Sequence, residues 1–126
     1  LIWSASNISQ ITFAGSTLVS EHRAGVSGGV VYAAEALGTL SVLANSSVLR
    51  SSAAVSGGVV SANELWSLAL TGGSSVSYNT AGDGGVLCTR SLGGAAVSDS
   101  DMSSNTAARH GGALLVQRQP ALGAVW

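Results

Sequence analysis

Charged residues are scarce in this 126-residue sequence, and lysine is missing altogether. Asp, Glu, Lys and Arg make up only 9% of the chain, far below the roughly 25% of an average soluble domain. The five positive charges are all dispersed arginines, and the net charge is −1. Because nucleic-acid binding needs a basic stripe, we predict no nucleic-acid partner. Low charge together with 46% hydrophobic residues also argues against disorder.

Cysteine and long apolar runs are equally sparse. Cys88 is the only cysteine, so no internal disulfide can form, and no Cys/His spacing typical of a metal site is present. Every apolar run is interrupted well before 18 residues, so we predict no membrane span in this segment. Residues 1–4 include neither an initiator Met nor a basic signal-peptide region. We therefore expect a mature terminus or a cut inside a longer chain.

A glycine pair recurs four times along the chain. The pairs are Gly28-Gly29, Gly57-Gly58, Gly84-Gly85 and Gly111-Gly112. Their first members are separated by 29, 27 and 27 residues. A fixed period of this size indicates a repeat architecture.

Each repeat reads as three short strands and three turns, with no stretch of helical spacing and caps. The sequence predicts an all-β, right-handed parallel β-helix with about 27 residues per rung. It forms one segment, residues 1–126, with rungs at about 1–27, 28–56, 57–83, 84–110 and 111–126. An antiparallel β-sandwich would also give many short strands, but it would not predict the recurring glycine pair.

Aligning the repeats on the glycine pairs gives columns of equivalent residues. Counting from each pair, the second and fourth columns are expected inside and the third outside, because side chains alternate along a strand. The third column contains Tyr32, Ser61, Cys88 and Leu115. The glycines suit sharp corners, where they adopt positive φ and bring no Cβ against the next rung. Ser16, Asn45, Gly73 and Asp99 form a turn column.

An asparagine ladder is expected at a further column. Asn79 and Asn105 occupy equivalent positions one repeat apart, so their amides would stack and bond neighbouring backbone groups. Ser51 and His22 stand in the same column and weaken the ladder in the earlier rungs.

These repeats resemble a known family. The segments 76–87 and 102–114 are similar to the FxxN and GGA(I/L/V) repeats of polymorphic outer-membrane proteins and related pectin-lyase-like β-helix proteins of bacterial and algal surfaces. Val76 and Met102 stand where those repeats have Phe. The resemblance covers essentially the whole chain and implies a surface-exposed passenger, adhesin or fibre.

No residue set predicts catalysis, a cofactor or a metal. Asp99 and Asp101 straddle a turn, and Glu35 and Glu64 lie one rung apart and would form a stacked acidic pair. We interpret both pairs as solvated turns rather than as a catalytic or cation site. His110 is expected to be an exposed turn residue. Cys88 lacks a neighbouring base and is expected to be inert.

Tryptophans and two sequons complete the candidates. Trp3, Trp66 and Trp126 share no column, which favours core or interface packing over a sugar-stacking platform. The sequons Asn7-Ile8-Ser9 and Asn45-Ser46-Ser47 lie in predicted turns and are candidate glycosylation sites.

Both ends of the chain look like ordinary solenoid strands rather than polar caps. We therefore expect uncapped ends, with end-to-end self-association or further rungs of the same protein as partners, and possibly glycans. The leading hypothesis is a structural or adhesive protein, extracellular or at the cell surface, that forms a stalk or fibre. A carbohydrate-active β-helix enzyme is the alternative, and an ice-binding solenoid is disfavoured because the threonines form no outward ladder.

Overall fold

The computed structural model describes residues 2–116, and they form a parallel β-solenoid without any helix in that range. The strands of the first rung are β1 (Ile2–Ser4), β2 (Ile8–Phe13), β3 (Leu18–Ser20) and β4 (Arg23–Ala24). Those of the second are β5 (Val31–Val42), β6 (Ser47–Leu49) and β7 (Ser52–Ala53), and those of the third are β8 (Val60–Leu70), β9 (Ser75–Ser77) and β10 (Thr80–Asp83). The fourth has β11 (Leu87–Leu92), β12 (Ala95–Val97), β13 (Asp101–Ser103) and β14 (Thr106–His110), and β15 (Leu114–Val116) opens the next.

Every strand pairs in parallel with its equivalent one rung along, which gives three sheets. The long sheet has the order β1-β5-β8-β11-β15, with β2 beside β5 and β12 beside β8. The short sheet has the order β3-β6-β9-β13, and the return sheet β4-β7-β10-β14. The predicted all-β parallel solenoid is therefore confirmed, with three sheets.

The three sheets are not formed by the three strands that the sequence predicted in each rung. In the second and third rungs the first two predicted strands join into the single strands β5 and β8, of 12 and 11 residues. The polar stretch between them is a β-bulge, because Ala33 pairs with Ala62 while Ala36 already pairs with Glu64. The third side comes from the small residues predicted to be a mere connection, which form the return sheet.

The bulge also overturns the predicted stacking of Glu35 on Glu64. Two residues of β5, Ala34 and Glu35, stand opposite the single Asn63 of β8, so Glu64 lies against Ala36 instead. Residues 29 apart are paired before the bulge, as Val31 is with Val60, but they are no longer paired after it.

The core consists of aliphatic ladders that run along the axis. Val31, Val60 and Leu87 are in register and at most 1% exposed. The ladder Val48–Val76 from the short sheet faces them in the same cluster. One rung could not bury these side chains alone, so each rung depends on its neighbours.

Each of the three corners contains at least one left-handed residue in every rung. At the first corner, between return and long sheets, these are Gly28, Gly57, Gly84 and Gly111. At the second corner they are the predicted turn column, Ser16, Asn45, Gly73 and Asp99, and in the first three rungs the residue before it is left-handed as well, namely Gly15, Ala44 and Gly72. At the third corner they are Glu21, Arg50, Tyr78 and Ser104. The same change of chain direction is thus made with quite different residues.

Candidate functional site

A groove runs along the outside of the first corner, between the return sheet and the outer face of the long sheet. Its upper part encloses about 530 Å³ and is lined by Trp3, Arg23, Val26 and Tyr32, among others. Its lower part encloses about 240 Å³ and is lined by Ser56, Ser61, Asn63, Cys88 and Arg90, among others. Ser27, Tyr32 and Ala34 line both parts, so the two lie side by side. We call this feature the lateral groove.

The glycine pairs produce the groove. A Cβ on Gly28 or Gly57 would meet the carbonyl oxygen three residues later, so the chain turns too tightly for any side chain. The second glycine of a pair has no room for a side chain for a different reason. A Cβ on Gly58 would meet the backbone of Gly85 in the next rung. The corner therefore brings the end of the return sheet close to the outer face of the long sheet.

This close approach corrects the prediction for the third column. Tyr32 and Ser61 are half-buried, whereas Cys88 and Leu115 are only 5% and 6% exposed. A Cβ on Gly111 would lie 3.0 Å from the Cβ of Leu115, because the corner lies against this column. The column is on the outer face of the sheet, as expected, but it forms the floor of a groove rather than a free surface.

A polar column forms the opposite edge of the groove. It consists of Ser27, Ser56, Asp83 and His110, each directly before a glycine pair. Ser27 and Ser56 are joined through their hydroxyl groups at 2.9 Å. Asp83 accepts a hydrogen bond from Arg109 Nη2 at 2.6 Å, and its other oxygen lies 2.9 Å from His110 Nδ1. The column thus links one rung to the next along the groove.

The charges and burial beside the groove disfavour Asp83 as a general acid and Cys88 as a reactive thiol. Burial alone would raise the pKa of Asp83, but the bond to His110 and the charge of Arg109 outweigh it and lower that pKa. A general acid needs the opposite shift. Burial raises the pKa of the Cys88 thiol and the charge of Asp83 adds to this, while Ser56 and Arg109 act the other way. A protonated thiol is a poor nucleophile.

His110 is 69% exposed, as the sequence suggested, but its contact with Asp83 was missed. So were the ion pairs Arg109–Asp83 and Arg50–Glu21, whose partners are 26 and 29 residues apart. In each case the separation is about one rung, so opposite charges one period apart were the signal that could have revealed them.

The asparagine residues form a hydrogen-bonded ladder behind the third corner. Asn79 is fully buried, and its Oδ1 accepts from the Ser51 amide at 2.8 Å. Its Nδ2 donates to the Val48 carbonyl at 3.1 Å and to Asn105 Oδ1 at 3.0 Å. Asn105 repeats the pattern one rung later by donating to the Val76 carbonyl at 2.9 Å. Each asparagine thus binds the backbone of the preceding rung.

Two hydrogen bonds between rungs that use hydroxyl groups went unnoticed in the sequence. At the second corner the Thr17 amide donates to Ser46 Oγ, and the Ser74 amide donates to Ser100 Oγ, both at 3.2 Å. The signal was a hydroxyl residue directly after the turn column in all four rungs, hidden by the abundance of serine.

The remaining candidates are dispersed. Trp3 and Trp66 are 69% and 65% exposed, so packing in the core is wrong for both, whereas packing at an interface stays a prediction. Trp126 lies outside the described residues. Asn7 and Asn45 are both exposed, and Asn7 Oδ1 accepts from the Ala36 amide at 3.1 Å. Asp99 occupies the second corner with φ 47°.

Asp101 is exposed and accepts from the Ser103 hydroxyl at 2.6 Å. Over residues 2–116, no group of three or more His, Cys, Asp or Glu side chains could hold a metal ion. The same residues contain no helix of the length and hydrophobicity that a membrane crossing requires. Comparison of the chain with protein-family models, curated proteins and solved structures finds no match to any of them.

Proposed function

We propose that the protein is a structural or adhesive β-solenoid of the cell surface or extracellular space. Its rungs stack on those of a second copy, or on flanking rungs of the same protein, to form a stalk or fibre. The observation that carries this proposal is the edge of the first rung. Among the described residues, β1, β2, β3 and β4 each pair on one side only.

This edge has the properties of a stacking surface. Ile8, Phe13 and Val19 are half-buried and pack against the core, so part of each side chain stays accessible. A strand edge with apolar residues beside it readily accepts another strand. A further rung would extend all three sheets and continue the aliphatic ladders at the same time.

The repeat pattern supports a surface location. The glycine-pair and asparagine motifs that resemble polymorphic outer-membrane-protein-like repeats form the first corner and the asparagine ladder. The exposed sequon residues Asn7 and Asn45 are compatible with glycans on such a surface.

The enzyme alternative has less support from the groove. A glycoside hydrolase uses two carboxyl groups, one of them with a raised pKa. Among the described residues that line the lateral groove or form the polar column at its edge, Asp83 is the single carboxylate. Its pKa is lowered rather than raised. Cleavage of an acidic polysaccharide, lost on Asp99→Ala or Asp101→Ala, would favour the enzyme instead.

Proline at the edge tests stacking without disturbing the existing sheet. The Phe13 carbonyl accepts from the Leu43 amide of the second rung. Because neighbouring residues of a strand direct their backbone groups to opposite sides, the Thr12 amide points away from that rung. Thr12→Pro therefore removes a bond only to an added rung, and Thr12→Ala is the matched control.

We expect sedimentation velocity to show assemblies that grow with concentration for the wild-type chain and for Thr12→Ala. Thr12→Pro should remain a folded monomer, with an unchanged circular dichroism spectrum. A wild-type chain that stays monomeric at the highest concentration would overturn the stacking proposal.

A further inference from the structure

One histidine lies on the edge of the first rung at a position that stacking would bury. We propose that a second copy of this chain stacks on that edge only while His22 is neutral, so that pH controls rung stacking. The inference rests on the proposed function, because it concerns the same edge and adds a condition under which the edge accepts a partner.

His22 is the first member of the column that continues into the asparagine ladder. The Ser52 amide donates to the His22 carbonyl at 2.8 Å, and the Thr106 amide donates to the Asn79 carbonyl at the same distance. Each of these bonds joins the third corner of one rung to the return strand of the next. His22 and Asn79 therefore occupy equivalent places in the first and third rungs.

Burial in this column depends on how many rungs lie beside it. Ser51 and Asn79 have a described rung on either side, and both are 0% exposed. His22 and Asn105 have a described rung on one side only, and both are half-buried. A rung added to the first would therefore bury the imidazole. A second copy is a suitable occupant, because its strands would continue the parallel pairing that the molecule already makes between its own rungs.

The surroundings of His22 do not favour a buried positive charge, since a charged ring loses its hydration on burial. His22 lies between β3 and β4 and beside β6 and β7. The charged residues of these strands and of the turns that join them are Glu21, Arg23 and Arg50. Glu21 pairs with Arg50 at 3.3 Å in an exposed position, and Arg23 has the same charge as an imidazolium. A buried, protonated His22 would therefore gain little compensation from them.

A neutral imidazole also has the hydrogen-bonding groups that this column uses. Asn79 accepts from the Ser51 amide and donates to the Val48 carbonyl, both in the preceding rung. A neutral histidine likewise has one acceptor nitrogen and one N–H donor, whereas the protonated ring has two donors and no acceptor. Protonation of His22 would remove the group that accepts from the backbone of an added rung.

Stacking should therefore be strongest at neutral pH and weaken as the solution becomes acidic. Histidine ordinarily titrates between about pH 5 and 8, a range in which Asp, Glu and Arg side chains keep their charge. The chain has one other histidine, His110, which lies in the fourth rung, 2.9 Å from Asp83. A pH response of the first-rung edge in this range is thus attributable to His22.

Sedimentation velocity of the full chain at about pH 7.0 and about pH 5.5 tests the inference. We expect the wild-type chain to assemble at the higher pH and to associate at least about tenfold more weakly at the lower one. Each pH unit below the midpoint of a titration lowers the neutral fraction about tenfold. His22→Asn keeps an acceptor and a donor without titrating, so this variant should assemble equally at both values.

Two further variants complete the test. His110→Asn removes the histidine outside the edge and should keep the wild-type pH response. His22→Gln carries the same amide group on a longer side chain and should assemble at both values, as His22→Asn does. Circular dichroism at both pH values verifies that every variant is folded.

Equal assembly of the wild-type chain at both pH values, or stronger assembly at the lower one, would overturn the inference and leave the stacking proposal intact. A pH response that persists in both His22→Asn and His22→Gln would overturn it in the same way. A wild-type chain that stays monomeric at both values would overturn both proposals, so the two failures are distinguishable.

Discussion

The first and third corners make the same turn with opposite tolerance for side chains. Both place one left-handed residue in every rung, with φ between 51° and 65°. At the first corner that residue is always glycine, whereas at the third it is Glu21, Arg50, Tyr78 and Ser104 in turn. A positive φ therefore does not by itself explain the glycine pairs.

The difference lies in the space around the Cβ position. At the first corner a Cβ would collide with backbone, either of the same rung or of the next. At the third corner the four residues are exposed, and Tyr78 is 61% exposed. A left-handed conformation costs a non-glycine residue about 1–2 kcal/mol. The asparagine ladder directly behind the third corner, at Asn79 and Asn105, helps to offset that cost.

Two alanine substitutions separate conformation from close approach. Gly57 and Gly15 have nearly the same φ, 63° and 67°, but only at Gly57 would a Cβ meet other atoms. We expect Gly57→Ala to lower the free energy of unfolding by about 3 kcal/mol or more, and Gly15→Ala by about 1 kcal/mol. Urea titration of both variants measures the difference. Equal losses would mean that φ alone selects the glycines.

Loss of the asparagine ladder should weaken the third corner. Asn79→Ala leaves the buried Ser51 amide and Val48 carbonyl without their partners. We expect a loss of about 2–4 kcal/mol in the free energy of unfolding. Asn105 is only half-buried, so Asn105→Ala should cost less, about 1–2 kcal/mol. A reversed order in urea titration would contradict the role assigned to burial.

Glycine at the third corner should stabilise the protein. Tyr78→Gly removes the strain of φ 58° from a side chain with little burial to lose. The gain is partly offset by the greater flexibility of glycine in the unfolded chain, so we expect a net increase of about 0.5–1 kcal/mol. The control is Gly25→Ala, because Gly25 has open space around its Cβ position and no positive φ. We expect this variant to leave the free energy of unfolding nearly unchanged. Destabilisation by Tyr78→Gly in thermal melts would show that the tyrosine contributes more than strain.

The charged end of the first corner gives the smallest expected effect. The pKa of Asp83 is lower in the folded protein, so its carboxylate stabilises the fold above the unfolded pKa. This contribution is lost as the pH falls through the folded pKa. Because Arg109 and His110 are largely exposed, we expect about 1 kcal/mol or less. Asp83→Asn should flatten the acidic limb of a stability–pH profile, and an unchanged limb would contradict the assignment.

The sequence determined the solenoid because its signals repeat in register. Glycine pairs such as Gly57-Gly58 fixed the period, aliphatic columns such as that of Val31 fixed the inward face, and Asn79 with Asn105 marked the ladder. These features depend on residue type alone, since only glycine fits the crowded corner and only an aliphatic ladder fills the core.

The tertiary structure alone decided features that depend on register and approach between rungs. A bulge of one residue in β5 separated Glu35 from Glu64, although their spacing matched the local period. The close contact at the first corner buried Cys88 and created the lateral groove beside it. Neither leaves a local sequence signal, because both arise from the position of one rung's backbone relative to side chains about 27 residues away.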